Sequence, residues 1–434
     1  MDKNFVRVDI LSILRQPRVI NYLFLIFIIV VVSIRILSAV FLGGGFGDES
    51  ARIGAIEALL SSNKHMIDMH SLFAIRTDAD YSTFPFFAPF LVVVKLFGAN
   101  IHFLRAFMQL LTTASIFLLA KSISYFADTK RQVHIFRIML IVGLLLPWNF
   151  LQGSIFWDTA ISPIYFIIAF FSFSYLYNSE NSKINKLAFI CMPTGLVLGA
   201  TSYKAFALTA LLLWIVFVVG LFRKNVYNIK HIILITTLSF LIAIPFIYLT
   251  LFIPDFTSRA SVISVFAHST SFTSALIQIF DNFLNMISPI FLFMIGDPNR
   301  MHAIGVMGML LPVSIIPLVI LLYKVFTRQL DKQMRIPFWI SVAGIFTTNL
   351  MCATTFDGQM HSLRSSLSWL FWTVLISIGY FSIERRFLVL HIICAAVYIT
   401  IFFFNYIPKS GEYFHDDPPY TLYYDKIYYD NLQK

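Results

Sequence analysis

Apolar runs, many of them long enough to cross a bilayer, recur from one end of this chain to the other. They lie near residues 19–42, 84–98, 103–123, 135–149, 158–178, 187–202, 205–222, 231–253, 304–323, 337–354, 365–383 and 387–407. A helix needs roughly 20 mostly apolar residues to cross the hydrocarbon layer. Backbone polar groups in lipid must also be satisfied internally, which leaves helices as the fold for runs of this kind. The pattern therefore predicts an all-α, polytopic transmembrane bundle. Composition agrees. Charged residues make up 12% of the 434 residues, about half the share found in soluble domains. The 47 Phe residues suit lipid-facing surface and interfacial belts.

The formal charge of +10 would suggest nucleic acid in a soluble protein. Here Lys and Arg sit in short links between apolar runs, so nucleic-acid binding is not expected. Cys191, Cys352 and Cys394 all lie inside apolar runs and show neither metal-ligand spacing nor a disulfide framework. The first run is too long for a signal-peptide core, and it is expected to stay as an anchor.

The run 84–98 is short, opens with Pro85 and Pro89, and contains Lys95. Counting basic residues tests whether it crosses. If it does not, the N-terminal Lys3, Arg7, Arg15 and Arg18 share one side with Lys121, Lys130, Arg131 and Arg137. Lys183, Lys186, Arg223, Lys224 and Lys230 fall on that side too, as do Lys324, Arg328, Lys332, Arg335, Arg385 and Arg386. If it does cross, the later basic loops part from the N-terminal cluster. The first arrangement gives eleven spans, with the N-terminus inside and the C-terminus outside, and makes 84–98 re-entrant or interfacial. Residues 1–407 then form one transmembrane module, and 408–434 a Tyr-rich outer tail. Outer loops cover 43–102 and 254–303, with the short link 355–364 joining them.

Those outer segments hold the residues able to carry chemistry. Gly-rich residues 43–47 lead into Asp48 and Glu49, then into a stretch with Ile53, Ile56 and Leu60 on one helical face. It reads as an interfacial amphipathic helix. Asp48 is either its N-cap or a carboxylate at headgroup depth, acting as general base or metal ligand. Arg52, Lys64, His65, Asp68, His70 and Arg76 surround it; His65, Asp68 and His70 fit a solvated loop better than a metal site. Asp297, Arg300 and His302 cluster behind an apolar SPIFLF segment that is too short to span. His361 and Arg364 stand three apart, so a helix would put them on one face. Asp158 opens the fourth span, Lys204 marks the junction of spans five and six, Arg105 stands at the entry to span two, and Arg35 lies within span one. Arg pairs well with phosphate oxygens. A lipid-linked phosphate would suit such a surface.

Four segments, in order, resemble the GT-C superfamily of membrane glycosyltransferases, closest to its protein O-mannosyltransferase and aminoarabinose-transferase-like group (family 39). They are GFGDESARIGAIEALL (45–60), YSTFPFFAPFLVVVKLFGANIHFLRAF (81–107), FLFMIGDPNRMHAIGVMGML (291–310) and MHSLRSSLSW (360–369). The resemblance implies transfer of one sugar from a polyprenyl-phosphate carrier to a lipid, glycan or protein acceptor at the extracytoplasmic face of the plasma membrane. It implies Asp48 as general base with Glu49 in support, and Asp158 as the second acid. Arg52, Arg105, Lys204, Asp297, Arg300, His302, His361 and Arg364 become candidate phosphate or acceptor contacts. Metal dependence stays open. The chain departs from the family in having one proline at Phe84-Pro85-Phe86 and Lys-Ala at Lys204-Ala205, and the large soluble C-terminal domain of some members is not expected here. A polysaccharide polymerase using two lipid-linked substrates shares the outer site. A lipid-linked glycan flippase would need ionisable groups deep in the bundle and an internal repeat, and neither is expected here.

Overall fold

The computed structural model describes residues 17–43, 47–61, 73–76, 81–178, 185–224, 228–253 and 262–415. Within them, eight helices are long and apolar enough to cross a membrane. Seven of these match expected spans: Arg18–Phe41, Ile101–Ser124, Asp158–Asn178, Lys204–Arg223, Ile229–Phe252, Lys332–Ala353 and Arg386–Gly411. Shorter helices over Thr129–Leu144, Lys186–Ser202, Pro312–Phe326 and Ser368–Tyr380 complete the expected set.

The eighth long helix, Phe272–Met294, falls in the segment expected to form the second outer loop. Its flanks explain how it can be apolar without crossing. Before it, the Val265 N–H donates to Thr354 O at 2.9 Å. After it, Asp297 Oδ2 accepts the Ser362 N–H at 2.8 Å. Both flanks return to the same short link, so the segment leaves and re-enters at one end of the bundle. Phe272, Leu276, Ile277, Phe280 and Leu284 stay exposed along it, as suits a helix embedded at a lipid interface.

Helix Phe84–Phe97 behaves likewise. Thr83 Oγ1 at its start donates to Thr201 O, at the end of Lys186–Ser202, at 2.8 Å. At its other end Gly98, with φ of +76°, breaks the helix. Two residues later Asn100 caps Ile101–Ser124 by accepting from the His102 and Phe103 N–H groups. Both ends of the short helix therefore sit where neighbouring spans begin or end, as the basic-residue count requires. Its Phe86 and Phe90 pack on Phe156 with ring centroids 5.0 and 4.5 Å apart.

The run 304–323 becomes helical later than its hydropathy suggests. Residues 303–311 are irregular because their backbone groups are engaged elsewhere. The Met309 and Leu310 N–H groups donate to Phe291 O and Leu292 O at 3.2 and 2.7 Å, and the Met309 carbonyl accepts from Trp148 N–H at 3.1 Å. Irregular backbone near the membrane is tolerated when protein supplies its partners.

Two features hold the bundle centre. Helices Asp158–Asn178 and Lys186–Ser202 approach closely because Gly195 faces Tyr165 O and Ala169, and Gly199 faces the Phe166 ring; small residues let spans meet at short range. Arg35 is fully buried in the first helix and donates to Leu144 O, to Asn149 Oδ1 and O, and to Gln109 Oε1, at 2.8–3.1 Å. Its charge is thereby spread over neutral acceptors from three segments. At the basic end of the bundle Arg131 meets Asp331 at 3.1 Å, and Gln333 donates to Asp128 at 2.6 Å.

Candidate active site

The end of the bundle opposite those basic loops collects the acidic and histidine residues. Helix Gly47–Ser61 begins one residue before Asp48, so by its backbone Asp48 lies in the first turn and not at the N-cap. Its side chain lies outside what is described. Glu49 is fully buried and meets Arg105 in a two-point ion pair, Nη2 to Oε2 at 2.6 Å and Nε to Oε1 at 3.1 Å. Arg105 Nη1 also donates to Leu42 O at 2.8 Å, and Glu49 Oε1 accepts the Phe156 N–H at 2.8 Å. Two side chains thus join the end of the first span, the interfacial helix, the start of Ile101–Ser124 and the approach to Asp158.

One turn after Glu49, Arg52 reaches Asp158 Oδ2 at 3.3 Å. Its guanidinium lies over the Trp157 and Phe86 rings, 5.5 and 5.9 Å from their centroids. Consecutive residues 156, 157 and 158 therefore each engage the interfacial helix: a backbone amide to Glu49, a ring beneath Arg52, and a carboxylate on Arg52. The Trp157 ring also meets His302 edge-on at 6.0 Å, which joins this half of the site to the second.

In that second half, the turn after Asp297 is set by Asp297 Oδ1, which accepts the Asn299 N–H at 2.9 Å. This is the Asx geometry a Gly-Asp-Pro-Asn sequence favours. The turn swings His302 back, so that its Nδ1 lies 3.0 Å from Asp297 Oδ2. His361 Nδ1 lies 4.0 Å from the same oxygen. Donor atoms of Asp297, His302 and His361 fall within 4.8 Å of one another, so these three could hold a cation. Next along the link, Arg364 pairs with Asp357 through both guanidinium nitrogens, with Nη2 to Oδ2 at 3.1 Å.

The electrostatics follow from burial and these neighbours. Burial, then the Arg364 charge, pushes His361 down to about 3 and so favours its neutral ring. Burial alone would raise the Asp297 carboxyl, but His302, His361 and the Ser362 N–H outweigh it and hold it below the usual carboxylate range. Burial is likewise outweighed at Asp357, which Arg364 holds low, and at Arg364, which Asp357 and nearby Tyr203 hold high.

Most of the residues expected from the sequence are brought into one connected group. Glu49, Arg52, Arg105 and Asp158 meet Asp297, His302, His361 and Arg364 through Trp157. His361 and Arg364 do not share a helical face, because regular helix begins only at Ser368. The backbone between them is diverted: the Ser362 N–H goes to Asp297, and its carbonyl accepts Trp148 Nε1 and Gln152 Nε2 at 3.2 and 2.6 Å. Arg300 folds back on its own loop, donating to Ile304 O at 2.9 Å. Lys204 opens a 3-10 turn, Lys204–Phe206, at the expected junction. Leu60, expected on the apolar face with Ile53 and Ile56, is exposed, whereas Ile56 is buried. Lys64, His65, Asp68 and His70 lie outside the described residues, as does the Arg76 side chain. Sequence reasoning missed Trp157 and Asp357. The available signals were the Trp-Asp step at a span entry and the Asp-Gly turn seven residues before Arg364. Chemically, the group offers carboxylates and imidazoles beside guanidinium groups that can pair with phosphate.

No family model matches the chain, and no curated protein matches it. Solved structures do. ArnT from Cupriavidus metallidurans bound to undecaprenyl phosphate superposes with a TM-score of 0.52 at 12% identity, over 86% of this chain and 62% of that one. The same protein in the apo state gives 0.52 at 11% identity, over 90% of this chain and 74% of that one. The chain thus spans less than two thirds of the lipid-bound ArnT chain. It shares the multi-pass helical fold of ArnT.

Proposed function

We propose that this chain is an integral membrane glycosyltransferase. In this reading it moves a single sugar from a polyprenyl-phosphate carrier to a hydroxyl of a lipid, glycan or protein acceptor, at the extracytoplasmic face of the plasma membrane. The observation that carries the reading is the fold shared with ArnT, one of whose structures holds undecaprenyl phosphate. The gathering of acids and arginines at the end of the bundle away from the basic loops supports it.

In the proposed reaction Asp48 removes the proton from the acceptor hydroxyl. The oxygen then bonds to the sugar carbon as the carbon–oxygen bond to the carrier phosphate breaks. General-base assistance of this kind contributes about 10²–10⁴-fold. The departing phosphate gains negative charge, and preorganised cations stabilise it. Arg52, Lys204, Arg300 and Arg364 are the cations assigned to donor or acceptor. Asp158 holds Arg52 in place, and the Glu49–Arg105 pair fixes the helix that carries Asp48.

Incubating the purified protein with a panel of polyprenyl-phosphate sugars and candidate acceptors tests this directly. Wild type should give a glycosylated product and free carrier phosphate, and Asp48→Asn should lose about 10²–10⁴-fold in rate while still folding. Full activity of Asp48→Asn would remove the catalytic assignment. Vectorial movement of an intact lipid-linked glycan, without bond cleavage, would replace the enzyme reading with transport.

A further inference from the structure

The arrangement of Asp297, His302 and His361 is hard to explain by hydrogen bonds alone. The two imidazole rings stack with centroids 5.1 Å apart and planes 25° from parallel. Both Nδ1 atoms face one carboxylate oxygen, Asp297 Oδ2, at 3.0 and 4.0 Å. That oxygen already accepts the Ser362 N–H at 2.8 Å. A proton on His302 Nδ1 would complete its set. His361 Nδ1 is then left buried, with no hydrogen-bond partner among the described residues. Burying a polar atom without a partner is unfavourable.

We infer that Asp297, His302 and His361 form a binding site for one divalent transition-metal ion of the zinc class. The spacing fits. Ligand atoms at about 2.0–2.1 Å from a tetrahedral ion are about 3.4 Å apart, and the observed 3.0 and 4.0 Å bracket that value. An ion between the three atoms would give His361 Nδ1 its missing partner. The donor chemistry selects the ion: two imidazole nitrogens and one carboxylate oxygen suit zinc, cobalt or iron, whereas magnesium and calcium favour all-oxygen sets. Three protein ligands leave a further position open.

The surroundings are those of a supported site. Backbone N–H groups of Ser362 and Asn299 hold the two carboxylate oxygens at 2.8 and 2.9 Å, and the Ser362 hydroxyl donates to His302 O at 3.2 Å. Such outer contacts fix ligand orientation. The ion would tie the outer turn at 297–302 to the link at 361, two segments far apart in the chain. This inference does not depend on the sugar-transfer reading.

The test uses the full-length protein in detergent, stripped with a chelator and then titrated with Co(II). Wild type should take up one ion per chain with visible ligand-field absorption, and zinc should displace it. His361→Ala and Asp297→Asn should weaken uptake by more than the about 10- to 100-fold that loss of an outer contact costs. A second measurement needs no variant: chelation of wild type should lower the melting temperature, and zinc alone should restore it, with magnesium ineffective. Co(II) uptake by wild type no tighter than by His361→Ala would overturn the inference. So would a melting temperature indifferent to chelation and zinc; in that case the three residues act as a hydrogen-bonded Asp–His pair beside a neutral His361.

Discussion

Glu49 and Arg105 neutralise each other in a two-point ion pair from which solvent is excluded, with Nη2 and Oε2 2.6 Å apart. They stand 56 residues apart in sequence, and the pair also binds Leu42 O and the Phe156 N–H. The pair therefore positions the helix on which Asp48 sits.

Removing one partner of this pair strands the other's charge in a site without water. Breaking a buried pair from one side costs about 3–5 kcal/mol. Glu49→Gln and Arg105→Ala should each lower thermal stability in detergent by that order, and the double variant should cost less than the sum of the two. Additive losses in a double-mutant cycle of melting curves would show that the two side chains act separately.

Arg52 depends on its flat guanidinium, which lies over Trp157 and Phe86 while bonding Asp158. Lysine keeps the charge but loses the planar stack. The expected loss for Arg52→Lys is about 1–2 kcal/mol, or roughly 5- to 30-fold in kcat/KM. Transfer kinetics at low donor concentration measure it, and an unchanged kcat/KM would mean that the stack serves no step of the reaction.

Gly308 and Gly305 should respond differently to a methyl group. A Cβ on Gly308 would run into the backbone of Leu292 and Phe293, which cannot move without breaking the pairing of 291–292 with 309–310. A Cβ on Gly305 would meet only the tip of Arg300, although its φ of +71° adds strain of about 1 kcal/mol. Gly308→Ala should therefore destabilise more than Gly305→Ala, by thermal unfolding. The Gly305 variant should instead release Arg300 from Ile304 O and alter donor KM.

The pH dependence of stability in the metal-free protein has a definite sign. His361 is held at about 3 in the fold, below its usual value of about 6.5, so the folded state binds fewer protons than the unfolded one. Its contribution is complete above about pH 6.5 and is lost progressively as the pH falls toward 3. Asp297 and Asp357, both held low, add a further loss below about pH 4. Unfolding curves between pH 7 and 4 should show falling stability in wild type and a flatter profile in His361→Gln. A wild-type profile that is level across this range would contradict the buried neutral ring.

The reaches of sequence and of tertiary structure differ here for a physical reason. Whether a segment enters the membrane is decided by its own transfer free energy and by the charges at its ends. The alternation of spans and the non-crossing Phe84–Phe97 were therefore legible in local hydropathy and basic residues. The identities of Glu49, Arg52, Asp158, His302 and Arg364 as polar groups at the acidic end were legible for the same reason. Their pairings were not. Two charges at the membrane face choose partners by distance and desolvation once helices pack, and sequence separation carries no trace of that choice. Only the packed bundle brought Glu49 to Arg105 and set Trp157 between Arg52 and His302. It also bent the 361–364 link out of helix to satisfy Asp297, and it left His361 facing a carboxylate that its position near a span's end did not foretell.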